Sequence, residues 1–170
     1  TLFDVWDNRQ FDALKYYFLM LDKSLDHKID LSDKQRHRAH AIIKQILSAN
    51  SLDKLYKKLG FNYVVDSTGT LKQFPDQSYD VIVSAGVLEH VKKEIIMDCI
   101  NGYYRLLKPG GYSIHSINMG DHLSHYDPHV SKKEYLRFSD NIWKFFFQNE
   151  VQYFNRVQRT EWLNYFSQAG

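Results

Sequence analysis

Histidines crowd one stretch of this chain. His115, His122, His125 and His129 fall within residues 115–129, four of the 8 histidines in the sequence, beside Asp121, Tyr126 and Asp127. Imidazole titrates near neutral pH, so a histidine oriented by a carboxylate can take the proton of a hydroxyl as its oxygen attacks. His122 or His125 is expected to be such a base, with Asp121 or Asp127 orienting it. His122, His125, Asp127 and His129 also have the chemistry of metal ligands, which a metal-dependent hydrolase would use. Their spacing matches no zinc signature, so no metal is expected. His90, which follows Glu89 in a separate turn, is a further candidate base.

Groups of this kind need a rigid frame, and the residues before them describe one. Tyr79 to Val83 is a short apolar run after a Pro75-Asp76 turn signal, as a buried strand should be. From Lys92 to Leu107 the apolar positions Ile96, Ile100, Tyr103 and Leu107 keep helical spacing. Pro109-Gly110-Gly111 is expected to stop that helix, and Tyr112 to Ile117 resumes an extended pattern. A strand–helix–strand unit of this length is a right-handed crossover between parallel strands. Ligands of such sheets gather at the carboxyl ends of the strands. Here those ends are Ser84-Ala85-Gly86 and His115-Ser116-Ile117-Asn118, so the histidine stretch leaves the frame where ligands collect.

The motifs Phe74-Pro75-Asp76-Gln77-Ser78-Tyr79-Asp80, Val87-Leu88-Glu89-His90-Val91 and Leu107-Lys108-Pro109-Gly110-Gly111 together resemble class I S-adenosylmethionine-dependent methyltransferases, most nearly the bacterial subgroup called methyltransferase type 11. The resemblance is sharp from about Phe61 to Asn118. It implies an α/β fold, an incomplete Rossmann-like parallel sheet of about three strands with flanking helices, and S-adenosyl-L-methionine as cofactor. It further implies that a polar residue after the Phe61–Val65 strand accepts from the adenine amino group. Asp66, Thr68 and Thr70, in a turn with Gly69, are the matches. Ser84, Ala85 and Gly86 would let the cofactor lie against the strand end, the Ser84 carbonyl facing its ammonium group. The implied activity is methyl transfer to a small-molecule or sugar-like acceptor, with oxygen as the expected atom.

Two of the family's features are missing from the pattern. No glycine-rich turn precedes these motifs, and no acidic residue closes a clear second strand to clamp the ribose hydroxyls. Asp4 and Asp7 are the nearby candidates. The chain is therefore expected to be the central and later part of a methyltransferase, cut at both ends and inactive alone. The alternative is a non-catalytic methyltransferase-like scaffold that uses its aromatic helices for assembly.

The remaining residues are read as one domain of 170 residues: a helical lead-in over 1–60, the recognisable core over 61–118, and a substrate-side loop with helices over 119–170. Phe11 to Leu21 keeps helical spacing, Asp22 to Asp30 reads as a loop, and Ser32 can cap a helix through Ala49. Ser51 caps a short helix that Gly60 closes. From Ser131 onward the chain is expected to be helical and aromatic, Thr160 capping the last helix, with exposed rings or pairing between copies as the consequence. Arg137, Arg156 and Arg159 are placed to read anionic groups. A net charge of +2 makes no electrostatic case for nucleic acid. No apolar run is long enough to span a bilayer, and one cysteine, Cys99, fits a reducing cytosol.

Overall fold

A computed structural model of the chain describes residues 1–28, 30–148 and 153–169, without the side chains of residues 27, 28, 123 and 125. The chain falls into two compact units, Thr1–Gly69 and Thr70–Gly170.

In the first unit β1 (Leu2–Asp4) lies parallel to β2 (Tyr63–Val65), in the register Leu2↔Tyr63 to Asp4↔Val65. Three helices connect them: α1 (Phe11–Lys28), α2 (Asp33–Leu47) and α3 (Leu52–Leu59). Ser32 starts α2 through a full capping box with Gln35, which satisfies two of the amides a helix start leaves unpaired. Ser51 caps α3, and Gly60 ends it at φ 71°, as its position predicts. Leu25, Ile43, Ile46 and Leu55 are buried in this unit.

Two expectations are corrected here. The residues read as a loop from Asp22 continue α1 to Lys28. Their charges are not loop chemistry, because they pair across to α2. Asp22 meets His40 Nδ1 at 2.7 Å, and Asp26 meets His40 Nε2 at 3.3 Å and Arg36 Nη1 at 3.2 Å. Leu2-Phe3-Asp4 is also a strand, too short for alternation to reveal.

The His40 contacts have a pH signature. Asp22, and after it Asp26, hold the imidazolium above its ordinary range. A raised histidine stabilises the folded state fully below the unfolded value of about 6.5, and that stabilisation is lost as pH rises through the folded value. The His40→Gln variant is expected to lose this dependence. Thermal midpoints of both proteins at about pH 6 and about pH 9 check it: the gap between them should close at the higher pH.

In the second unit β3 (Tyr79–Ala85) lies parallel to β4 (Leu107–Ser116), joined through two single 3-10 turns and α4 (Ile96–Leu106). Among the described residues the strands thus number four, in two parallel pairs rather than one sheet of about three. The crossover is as foreseen, but its punctuation differs. The helix ends at Leu106, and Pro109-Gly110-Gly111 lies inside β4 rather than at the helix stop. Pairing jumps from Tyr79↔Leu107 to Val81↔Tyr112, so the extra residues bulge out of the ladder. Gly110 takes φ 80° in this bulge, and a Cβ on Gly111 would stand 2.9 Å from the Asp80 carbonyl oxygen. The glycines serve the strand, not the helix.

Beyond β4 come 3-10 turns at His122–His125 and Glu134–Arg137, then α5 (Asp140–Phe146) and α6 (Arg159–Ala169). This region is less helical than its composition suggests. Thr160 sits inside the first turn of α6, and the start is closed by Glu161 Oε2, which accepts from Gln158 N at 3.0 Å. The core gathers Leu88, Ile96, Ile100, Val157 and Trp162. Phe145 and Phe146 remain outside it, 81% and 70% exposed. Among the described residues no helix is long and apolar enough to cross a membrane.

Candidate functional site

Parallel strands end side by side in each unit, and the polar residues follow at once. In the first unit Asp4 is the last residue of β1, and Asp66 follows β2 with its amide donating to the Asp4 carbonyl at 3.0 Å. Asp66 Oδ1 accepts from Thr68 N at 2.9 Å and from Thr68 Oγ1 at 2.7 Å, which folds the turn back on itself. Gly69 closes the turn at φ 64°, its amide donating to the Asp66 carbonyl. Asp4 Oδ1 accepts from Val5 N at 2.8 Å and Oδ2 from Asn8 Nδ2 at 3.3 Å, which orients the carboxylate. Thr70 is exposed and begins the second unit.

In the second unit Ser84 and Ala85 pair with His115 and Ser116, and Gly86 N donates to the Ser116 carbonyl at 3.0 Å. Gly86 takes φ 66° and is exposed, so the chain turns away from the strand without a side chain. Ser84 Oγ lies 2.7 Å from His115 Nδ1 on the packed face of the sheet. Glu89 stands just beyond, only 2% exposed. Its Oε1 accepts from Asn118 N at 3.1 Å, tying the turn after β3 to the exit of β4. Its Oε2 has no partner among the described residues. A desolvated carboxylate oxygen without a donor is a costly feature to keep, and such features cluster at functional sites.

The proposed bases divide. His90 Nδ1 donates to the Tyr153 carbonyl at 2.8 Å, which leaves Nε2 as the acceptor nitrogen of the neutral ring. His122 lies near it, ring centroids 5.5 Å apart, and both pack against Phe154. Asp121 is buried, with Oδ2 accepting from Tyr135 N at 2.9 Å, and its amide donates to the Lys132 carbonyl. Tyr135 in turn donates to the Met119 carbonyl and receives a bond from Gln158. Asp121 thus fastens the loop that carries His122. His125 ends the same 3-10 turn, and its side chain lies outside those described. Asp127 Oδ1 accepts from His129 N at 2.9 Å. Among the described residues no group of three or more His, Cys, Asp or Glu is placed to hold a metal ion.

Compared with known proteins, residues 27–115 match a family described as Methyltransferase domain. The match takes in more than half of the 170 residues. The chain belongs to this family. Neither a curated protein nor a solved structure matches it. The match takes in β2, β3, β4 up to His115, the Asp66 turn, Gly86, Glu89 and His90, while β1 with Asp4 lies outside it. The α/β, partly Rossmann-like character of this methyltransferase domain is therefore both a family property and visible in its strands. Sequence reasoning names Asp4 as a candidate but finds no strand for it to close, because β1 is only 3 residues long. Glu89 has no role in the sequence beyond preceding His90 in its turn, whereas the structure buries it beside Leu88, at 2% and 0% exposure.

Proposed function

We propose that this methyltransferase domain transfers the methyl group of S-adenosyl-L-methionine to an oxygen of a small or sugar-like acceptor. The supporting observation is the set at the strand ends of the second unit: Gly86 open at positive φ, Glu89 buried with an unpaired oxygen, and His90 beside His122. Each unit by itself carries residues whose chemistry fits a part of the cofactor, as the family resemblance implies. Asp4 would hold the ribose hydroxyls, and Asp66, Thr68, Gly69 and Thr70 the adenine side. Ser84, Ala85 and Gly86 would receive the methionine end, where an unpaired carboxylate oxygen suits an ammonium group. When bound, the cofactor supplies an electrophilic methyl carbon on a sulfonium, which leaves as a neutral thioether.

The chain's own task is then to hold the acceptor in line and remove its proton. His122 takes that proton as the oxygen attacks, with Asp121 fixing the loop beneath it. His90 is the neighbouring acceptor for the same proton, and His125 is the other base that the sequence offers. The working compartment in this reading is the cytosol. Production of S-adenosylhomocysteine in the presence of hydroxylated acceptors tests it. General bases contribute about 100-fold or more, and His122→Ala should lower the rate by that much while leaving cofactor affinity unchanged. Absence of product with every hydroxylated acceptor would overturn the reading; full activity of the variant would move the base elsewhere. A scaffold without catalysis is the second reading, favoured by the exposed rings of Phe145 and Phe146.

A further inference from the structure

The alternating residues Ser113 and His115 of β4, with Ile117 just past its end, put one face of the strand along a cleft that α6 borders. The cleft has a volume of about 410 Å³ and runs beside the strand rather than off its end. Met119, Leu163 and Phe166 complete its apolar lining. Both nitrogens of His115 are already used, Nδ1 by Ser84 Oγ at 2.7 Å and Nε2 by Ser113 Oγ at 2.5 Å. The ring is stacked between Tyr103 and Phe166, with centroids at 4.9 Å and 5.4 Å. Burial pushes its pKa down, so it is neutral at physiological pH.

Two donors of the cleft lack partners among the described residues. Trp162 lines it at 4% exposure, and its Nε1 has no acceptor. Arg159 lines it from the first turn of α6 and makes no ion pair. The other two arginines singled out in the sequence are both engaged, Arg137 by Glu134, and Arg156 by Asp140 and the Trp143 ring. Indole and guanidinium donate and never accept. A cleft with apolar ring walls, unpaired donors and one cation at its border is complementary to a flat apolar anion.

We infer that the cleft between β4 and α6 binds a small planar apolar molecule carrying one carboxylate, which pairs with Arg159. This site does not depend on the methyl-transfer reading.

Naphthoate and its neutral isostere naphthamide are the probes, titrated calorimetrically into the protein. Naphthoate should bind about ten-fold more tightly than naphthamide, because only it forms a charge-assisted pair. In Arg159→Gln the two should bind alike, at the naphthamide level. Leu163→Trp, a change at a position 55% exposed, should narrow the cleft and weaken both probes. Failure of naphthoate to bind, equal binding of the two probes, or an unaltered preference in Arg159→Gln would each overturn the proposal.

Discussion

Replacing Trp162 with alanine is expected to lower the folding stability of the protein by about 3–5 kcal/mol, the usual loss for emptying a buried tryptophan site. Trp162 is the largest residue of the core that also holds Leu88, Ile96, Ile100 and Val157, and it joins α6 to α4. Tyr165 and Phe166 pack on its edge, so the vacated space is walled by rings that cannot all close over it. Folded domains are stable by only about 5–15 kcal/mol, so this loss is a large part of the total. Phe145→Ala, at 81% exposure, removes a ring of similar kind and should change stability by about 0.5 kcal/mol or less. Denaturant unfolding followed by circular dichroism compares the two. Equal losses would mean that the packing of α6 is not what holds the second unit together.

The largest expected effect on ligand binding lies at Asp4. If its carboxylate holds the ribose hydroxyls, Asp4→Ala removes charge-assisted hydrogen bonds worth about 1.5–3 kcal/mol. Affinity for S-adenosylhomocysteine should then fall roughly ten- to a hundred-fold. Asp4 also accepts from Val5 N at 2.8 Å, and its loss disturbs the turn as well. Asp4→Asn separates the effects, since the amide oxygen can keep the Val5 contact while the charge is gone. Binding weakened in both variants assigns the effect to the carboxylate. Native affinity in both would remove Asp4 from the site.

The central crossover was legible because its signals are redundant. Tyr79–Ala85 is apolar, α4 repeats with helical spacing through Ile96, Ile100 and Tyr103, and three motifs agree on the family. The strand ends followed from that topology, and Gly86 at φ 66° sits where a turn off a strand needs glycine. What escaped was tertiary. Asp22 and Asp26 look like loop residues until His40 and Arg36 of another helix come to meet them. Leu2–Asp4 becomes a strand only because Tyr63–Val65 lies alongside, a pairing across about sixty residues that no local pattern carries. Pro109-Gly110-Gly111 carries a helix-stop signal, yet the ladder absorbs it as a bulge against Asp80. Glu89 is charged and adjacent to an exposed histidine, and only the packing of Leu88 shows that its side chain goes inward.

Calorimetric titration of S-adenosylhomocysteine into the full-length protein tests the central claim most directly. The account predicts saturable binding at a single site per chain, weakened in Asp4→Ala and unchanged in His122→Ala. No binding at millimolar ligand would contradict it, and these strand ends would then hold no adenosyl cofactor.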